Sequence, residues 1–264
     1  MFSEKVVIVT GSSQGIGKAT ALEFLKEGSN VVLNGRNPEK LDKTMKEFTS
    51  LGYNPLAVPG DLSNAEACKG LIASALEHFG RIDILVNNAG GGFRGRMDET
   101  SSEVVKSVID SNLMSAIFCT EAAISEIKKN RGSIVFISSL SGIRGMPKNG
   151  PYCIAKMGLT ALAQTMRLEL SGTGVHIGII YVGWTDFDEN KRVTNADGSL
   201  IPITRKSKQT REQVAKIILR TIRRRKFKVI LTFPGKALAF FDKICPPLID
   251  WVMKRSEKTQ KYNK

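Results

Sequence analysis

Lys5-Val6-Val7-Ile8-Val9-Thr10-Gly11-Ser12-Ser13-Gln14-Gly15-Ile16-Gly17 decides the fold. The β-branched apolar run reads as a strand buried on both faces, the kind found inside parallel sheets. A glycine-rich turn follows at once, and then Lys18 to Glu27, with Ala19, Leu22 and Leu25 at helical spacing and Gly28 as the stop. Strand, glycine turn and helix in direct succession can cradle a pyrophosphate. Gly11 permits the tight turn, and Gly15 lets the backbone approach the anion at the free N–H groups of the helix N-terminus. The spacing is G-x-x-x-G-x-G rather than the commoner G-x-G-x-x-G. Taken alone, the segment is therefore also compatible with an ordinary strand-to-helix turn.

Outward from this unit, strand and helix patterns alternate six times before residue 182. The chain of 264 residues has room for one large domain of this kind. We expect an α/β fold: a single Rossmann-like, doubly wound parallel sheet of about seven strands with helices on both faces. The second strand, Asn30 to Asn34, ends at Gly35-Arg36-Asn37. In such a sheet the tip of the second strand meets an adenosine ribose. An acid there would accept from the ribose 2′-hydroxyl and repel a 2′-phosphate. Here the position holds Gly35 and the guanidinium of Arg36, which suits a phosphate, so the reading is NADP(H) in preference to NAD(H). Asn37-Pro38 is also an N-cap followed by a first-turn proline.

A second constellation lies further on. Tyr152 and Lys156 are four apart in Pro151-Tyr152-Cys153-Ile154-Ala155-Lys156, and Ser139 lies thirteen residues before the tyrosine. A free phenol titrates near ~10 and is a poor proton carrier at neutral pH. An ammonium one helical turn away would favour the phenolate and lower that value, giving a tuned acid–base tyrosine. Most such pairs are plain helix surface, and this one gains weight only beside a nucleotide-binding strand and turn.

With these residues in place, the chain resembles the short-chain dehydrogenase/reductases over about residues 4 to 183. Thr10-Gly11 through Gly15-Ile16-Gly17 is similar to that family's cofactor loop, Asp61-Leu62 to its adenine-contacting pair, and Asn87-Asn88-Ala89-Gly90 to its fourth-strand motif. Asn112, Ser139, Tyr152 and Lys156 follow in the family's order. The resemblance implies an oxidoreductase acting on CH–OH groups. Ser139 and Tyr152 would hold the substrate carbonyl while hydride passes between the nicotinamide and carbon. Tyr152 would give or take the proton, and Lys156 would lower the tyrosine pKa and hold the nicotinamide ribose. Asn112 would position a water linking Lys156 to solvent. The implied cofactor contacts are Gly11, Ser13, Gln14, Gly15, Ile16, Gly17, Arg36, Asn37, Asp61, Leu62, Asn88, Ala89, Gly90, Tyr152, Lys156, Gly183 and Thr185. Ser138 and Ser139 must point to opposite faces of their strand, so only one reaches the site, and the thirteen-residue gap selects Ser139. The chain departs from the family pattern at Val182, where proline is usual before Gly183. Phe187 stands where a threonine is usual, and Thr185 is its nearest substitute. Gln14 stands where NADP-preferring relatives often carry a cation.

Composition bounds the rest. Cys68, Cys119, Cys153 and Cys245 form no C-x-x-C and read as reduced packing residues. His78 and His176 are too isolated for a metal site. The first strand begins within a few residues of Met1, which reads as no signal peptide and a cytoplasmic setting. The net charge of +14 sits wholly in the last sixty residues: 1–204 carry 21 cations and 21 anions, whereas 205–264 carry 18 and 4. Arg211 to Arg225 reads as an amphipathic helix and Phe227 to Thr232 as the last strand. We place the catalytic domain at 1–234 and a basic amphipathic extension at 235–264.

That extension is too broken and polar to span a bilayer. Its leading readings are packing on the protein or a partner subunit, and peripheral contact with an anionic membrane through 235–255. A third reading, nucleic-acid binding, has no recognition motif or stacking platform beside the charge and is not the one taken. The stretch 184–210 shows no clear periodicity and reads as a substrate loop, with Trp184, Phe187, Phe93 and Met146 as pocket walls. Apolar residues on more than one helix face (Met114, Ile117 and Phe118; Leu159, Leu162 and Met166) suggest a homodimer or homotetramer. The function expected is NADP(H)-dependent reduction of a carbonyl or oxidation of a secondary alcohol, on a hydrophobic substrate such as a steroid, retinoid or acyl chain. The alternatives are a catalytically silent NADP(H)-binding protein and a membrane-surface scaffold.

Overall fold

The computed structural model describes residues 1–186, 191–203, 207 and 209–261, with side chains through residue 255. In chain order the elements are β1 (Val6–Val9), α1 (Gly15–Lys26), β2 (Asn30–Gly35), α2 (Pro38–Ser50), β3 (Leu56–Pro59), α3 (Ala65–Phe79) and β4 (Ile84–Asn87). Then follow β5 (Phe93–Arg94), α4 (Ser102–Ile109), α5 (Ser115–Lys129), β6 (Ser133–Ser139), α6 (Gly150–Glu169) and β7 (His176–Val182). The chain continues through β8 (Arg192–Asn195), β9 (Leu200–Pro202), α7 (Arg211–Arg223), β10 (Lys228–Ile230), α8 (Phe233–Ile244) and α9 (Pro246–Lys261).

Seven strands form one parallel sheet in the order β10-β7-β6-β4-β1-β2-β3. The period-two alternation of each buried strand divides its side chains between two cores. Val6, Ile8, Leu85, Ile134, Phe136, Ile177 and Ile179 pack with the helices α3, α5 and α6. Val7, Val9, Ile84, Val86, Val135, Ile137 and Ile180 pack on the opposite side with α1, α2 and α7. The strand order reverses between β1 and β4, and the crevice at their carboxyl ends is where ligands enter sheets of this type.

Local chemistry fixes the element ends. Asn37 Oδ1 accepts from Lys40 N at 2.8 Å with Pro38 in the first turn of α2, and α7 opens on a reciprocal Thr210–Gln213 capping box. Asp83, at the lower edge of β4, takes two bonds from Arg81 and one each from Lys5 Nζ and Val6 N. Burial alone would raise its pKa, but these donors hold the carboxyl below the ordinary value.

The stretch expected as an irregular loop contains a hairpin. β8 and β9 pair antiparallel, and β8 adds in parallel to β5. The turn is built by Asn195-Ala196-Asp197-Gly198: Gly198 takes φ +84°, and Asp197 Oδ1 accepts from Ser199 N at 2.9 Å. Arg192-Val193-Thr194 is too short to display an alternation, which is why periodicity missed it. Phe187 lies outside the described residues. Phe93 is buried in β5, whereas Trp184 is exposed. The apolar residues read as interface candidates also divide. Leu159 and Met166 are buried in the chain's own core, and the exposed apolar residues of α6 are instead Ile154, Met157 and Leu168.

Candidate active site

The crevice is an open cleft lined by Gly11, Ser13, Gln14, Asn34, Gly35, Arg36, Gly60, Asp61, Leu62, Ser63, Ala89, Gly90, Ser111 and Ser115. The structure thus brings together Gly11, Ser13, Gln14, Arg36, Asp61, Leu62, Ala89 and Gly90 of the residues expected to hold a cofactor. The remaining ones are not among its lining residues. Gly15, Ile16 and Gly17 form the first turn of α1, which begins earlier than the hydrophobic spacing indicated. Asn88 is a strut beneath the cleft, and Asn37 is committed to capping α2. Gly183 and Thr185 leave β7, with Thr185 Oγ1 donating to Gly183 O and its backbone bridging to Gln209.

The cleft is held open by a polar lock between β1 and β4. Thr10 Oγ1 donates to Val86 O and accepts from the backbone N–H groups of Asn88 and Ala89, both at 2.9 Å. Asn88 Nδ2 returns bonds to Thr10 O at 2.9 Å and Gly11 O at 3.1 Å. Gly11 sits at φ +62°, and a Cβ there would lie 2.9 Å from the Ala89 backbone, so only glycine lets the two loops meet. Asn34, unremarked in the sequence, completes the frame: it is buried, its Nδ2 donates to Val58 O and Gly60 O, and its Oδ1 accepts from Gly11 N. An amide inside an otherwise apolar strand was the signal available for it.

Deeper in, four side chains converge at the ends of β4 and β6. The last turn after α4 widens into a π turn over Asp110–Met114, a distortion often found at functional sites, and it carries Asn112. Asn112 is buried; its Nδ2 donates to Val108 O at 3.0 Å, and its Oδ1 has no partner among the described residues. A Cβ on Gly90 would strike that Oδ1 and lie 3.6 Å from Lys156 Nζ, so Gly90 is the space between them. Lys156 is 5% exposed, and its Nζ donates to Ile137 O at 3.2 Å. Ser138 turns the other way and donates to Lys156 O, leaving Ser139 for the site, as the strand parity requires. Cys153, beside the tyrosine, is a buried packing residue whose Sγ accepts from Met146 N at 3.3 Å.

The electrostatics differ from the sequence expectation. Burial pushes the Tyr152 phenol up to about 12, with the Ser139 hydroxyl pulling it down only in part. Lys156 does not lower it in this state. Its Nζ donates to the Ile137 carbonyl and stands over the Tyr152 ring, 5.5 Å from its centre. Burial, aided by the nearby Lys191 cation, brings Lys156 itself down to about 8. The pair consists of a phenol that keeps its proton at neutral pH and an amine poised close to neutrality.

The arrangement fits a dinucleotide. Gly11, Gly35, Gly60 and Gly90 line the crevice without side chains, the N-terminal end of α1 reaches it at Gln14, and behind Gly90 lie an orphan amide oxygen and a desolvated ammonium. Comparison with known proteins agrees with this geometry. The model of the short chain dehydrogenase family matches residues 5–198. "Dehydrogenase/reductase SDR family member 7B" from Bos taurus is 29% identical over 252 residues, covering 92% of this chain and 78% of that protein. "3beta-hydroxysteroid dehydrogenase" from Mediterraneibacter gnavus is 33% identical over 186 residues, covering 70% of this chain and 67% of that protein. A crystal structure of a short chain dehydrogenase/reductase SDR from Burkholderia phymatum in complex with NAD superposes with a TM-score of 0.84 at 22% identity, covering 94% and 95% of the two chains.

A lysine at about 8 when folded and 10.5 when free binds fewer protons folded than unfolded between those values. Stability therefore rises as pH climbs from about 8 to 10.5, and a penalty of about 3 kcal/mol is fully present below 8. Lys156→Met is expected to raise the melting temperature of the ligand-free protein at pH 7, with the gap to wild type narrowing by pH 10. Thermal melts of both proteins across this range check it.

Proposed function

The chain belongs to the short chain dehydrogenase family, and from that premise we propose that it is an NADP(H)-dependent oxidoreductase acting on a carbonyl or secondary alcohol of a hydrophobic substrate. The observation that carries this reading is the convergence of Asn112, Ser139, Tyr152 and Lys156 beside the glycine-lined cleft, to which Gly90 joins them. Bound nicotinamide supplies the hydride.

The chain's own residues supply proton, polarisation and orientation. Ser139 and Tyr152 share a hydrogen bond and together form a donor pair for a carbonyl oxygen. At neutral pH the phenol holds its proton, which suits donation to a developing alkoxide and hence the direction of reduction. Below about 8 Lys156 is an ammonium standing over the Tyr152 ring, a nearby reserve for the proton the phenol gives up. Asn112 presents its unpartnered Oδ1 toward Lys156, the place for a water that carries the proton onward.

Arg36 supports the preference for the 2′-phosphorylated cofactor. It lines the cleft at the tip of β2, directly after Gly35. Asp61 also lines the cleft, on the β3 side. A hydrophobic substrate is in keeping with the steroid named for one of the relatives. Self-association through α6 is supported by its exposed Ile154, Met157 and Leu168.

Tyr152→Phe is expected to lower NADPH oxidation with a panel of steroid, retinoid, quinone and acyl carbonyls by about a thousandfold. NADPH binding, read by fluorescence titration, should stay within about twofold. Undiminished turnover in the variant would overturn the enzymatic reading. Arg36→Glu is expected to lower kcat/KM for NADPH by about a hundredfold while leaving that for NADH within a few-fold. A parallel fall with both cofactors, or with neither, would remove the preference assigned to Arg36.

A further inference from the structure

The last two helices expose large apolar side chains to solvent and carry cations beside them. On α8 the exposed residues are Phe233, Phe240, Phe241 and Ile244, and on α9 they are Leu248, Trp251 and Val252. At 3.6 residues per turn, Phe233, Phe240 and Ile244 form one stripe along α8, with Lys236 and Lys243 about 60–80° to one side. On α9, Leu248, Trp251 and Val252 share a stripe that Arg255 continues, its guanidinium stacked 5.4 Å from the Trp251 ring centre. Among the described residues no helix is long and apolar enough to cross a membrane. This is the composition of helices that lie in an interface, with rings at head-group depth and cationic side chains reaching past them.

The acids of 233–255 point away from the stripes. Asp242 and Asp250 fall about 180° and 200° around their helices from Phe233 and Leu248 respectively. Both are engaged by one residue of the catalytic domain: Arg144 Nη1 bonds Asp242, and Arg144 Nη2 bonds Asp250 at 2.6 Å. The clip uses up the negative charge of 233–255 and leaves Lys236 and Lys243 beside the α8 stripe and Arg255 on the α9 stripe, within a segment, 205–264, that holds all of the chain's net +14. It also ties the pair to the substrate end of the molecule. Arg144 is five residues beyond Ser139, and a Cβ on Gly235 would lie 2.5 Å from Leu140 Cδ2, so α8 rests on the residue that follows the serine.

We propose that α8 and α9 form a docking face for an anionic bilayer surface, and that the Arg144 clip sets the catalytic end of the protein against that surface. Charge selects the occupant. An uncharged protein partner would leave the cations uncompensated, and a second copy would bring the same positive face against itself, whereas acidic head groups neutralise the cations while acyl chains receive the rings. Docking is independent of the enzymatic reading above; only the corollary that a lipid-dissolved substrate enters on this side rests on it.

The test uses the full-length protein and sedimentation with vesicles of phosphatidylcholine alone or with about a third phosphatidylserine. Expected is cosedimentation with the anionic vesicles only, weakening as salt is raised. Phe240→Glu/Ile244→Glu/Trp251→Glu is expected to lower the partition more than about tenfold while NADPH binding in solution is kept. These side chains are exposed, so the fold should survive, and circular dichroism with a thermal melt verifies it. In a Trp184→Phe background, quenching of Trp251 by brominated lipid gives a second readout that needs no destabilising change. No cosedimentation with either vesicle, or no quenching, overturns the proposal. So does loss of a dimer by the triple variant in light scattering with vesicle binding unchanged, which would make the face a protein interface. Failure here with NADPH binding and turnover intact leaves the catalytic reading standing, and the converse result separates them equally.

Discussion

The site depends on one amine held out of water. Lys156 is buried beneath the end of β6 with a backbone carbonyl as its partner, and that desolvation brings it close to neutrality. A charged group in such a place is costly to the fold, and several features maintain it. Ser138 takes the Lys156 carbonyl, the π turn at Asp110–Met114 delivers Asn112, and Gly90 leaves the gap through which the two face each other. Stability given up at a site whose protonation state is useful is the pattern expected of catalytic machinery.

The scaffold makes this arrangement precise by simple means. Alternation along five neighbouring strands sends one set of aliphatic side chains to each core, so the sheet has no freedom of register. The same alternation separates Ser138 from Ser139. The Thr10–Asn88 lock then joins the two loops at the point where strand order reverses, so the cleft exists as part of the sheet's own hydrogen bonding.

Much of this was legible in the sequence because it is carried by local, repeated signals. The buried β-branched runs, the glycine turn after β1, the Asn37-Pro38 cap and the helical spacing of Tyr152 and Lys156 each depend on a few neighbouring residues. What escaped depends on contacts between segments distant in sequence. The β8–β9 hairpin gains its order from β5, nearly a hundred residues earlier, and its strands are too short to show alternation. Asn34 matters only because β3 and the β1 loop both come within reach of one amide. The tyrosine pKa went the other way because spacing places an ammonium on the correct face but cannot show how deeply the phenol is buried, and burial dominates. Leu159 and Met166 looked like interface residues because a helix buried on two sides has no polar face to reveal which side meets solvent.

The measurement closest to the central claim is the pH dependence of kcat/KM for NADPH, which reports groups of the free protein. With any carbonyl that is turned over, the account predicts a plateau at neutral pH and a falling limb near 8, where Lys156 gives up its charge, with that limb absent in Lys156→Arg, whose cation persists. A profile flat from pH 6.5 to 9.5 in the wild type, or the same limb in the arginine variant, would show that the buried amine is not the group on which the site turns.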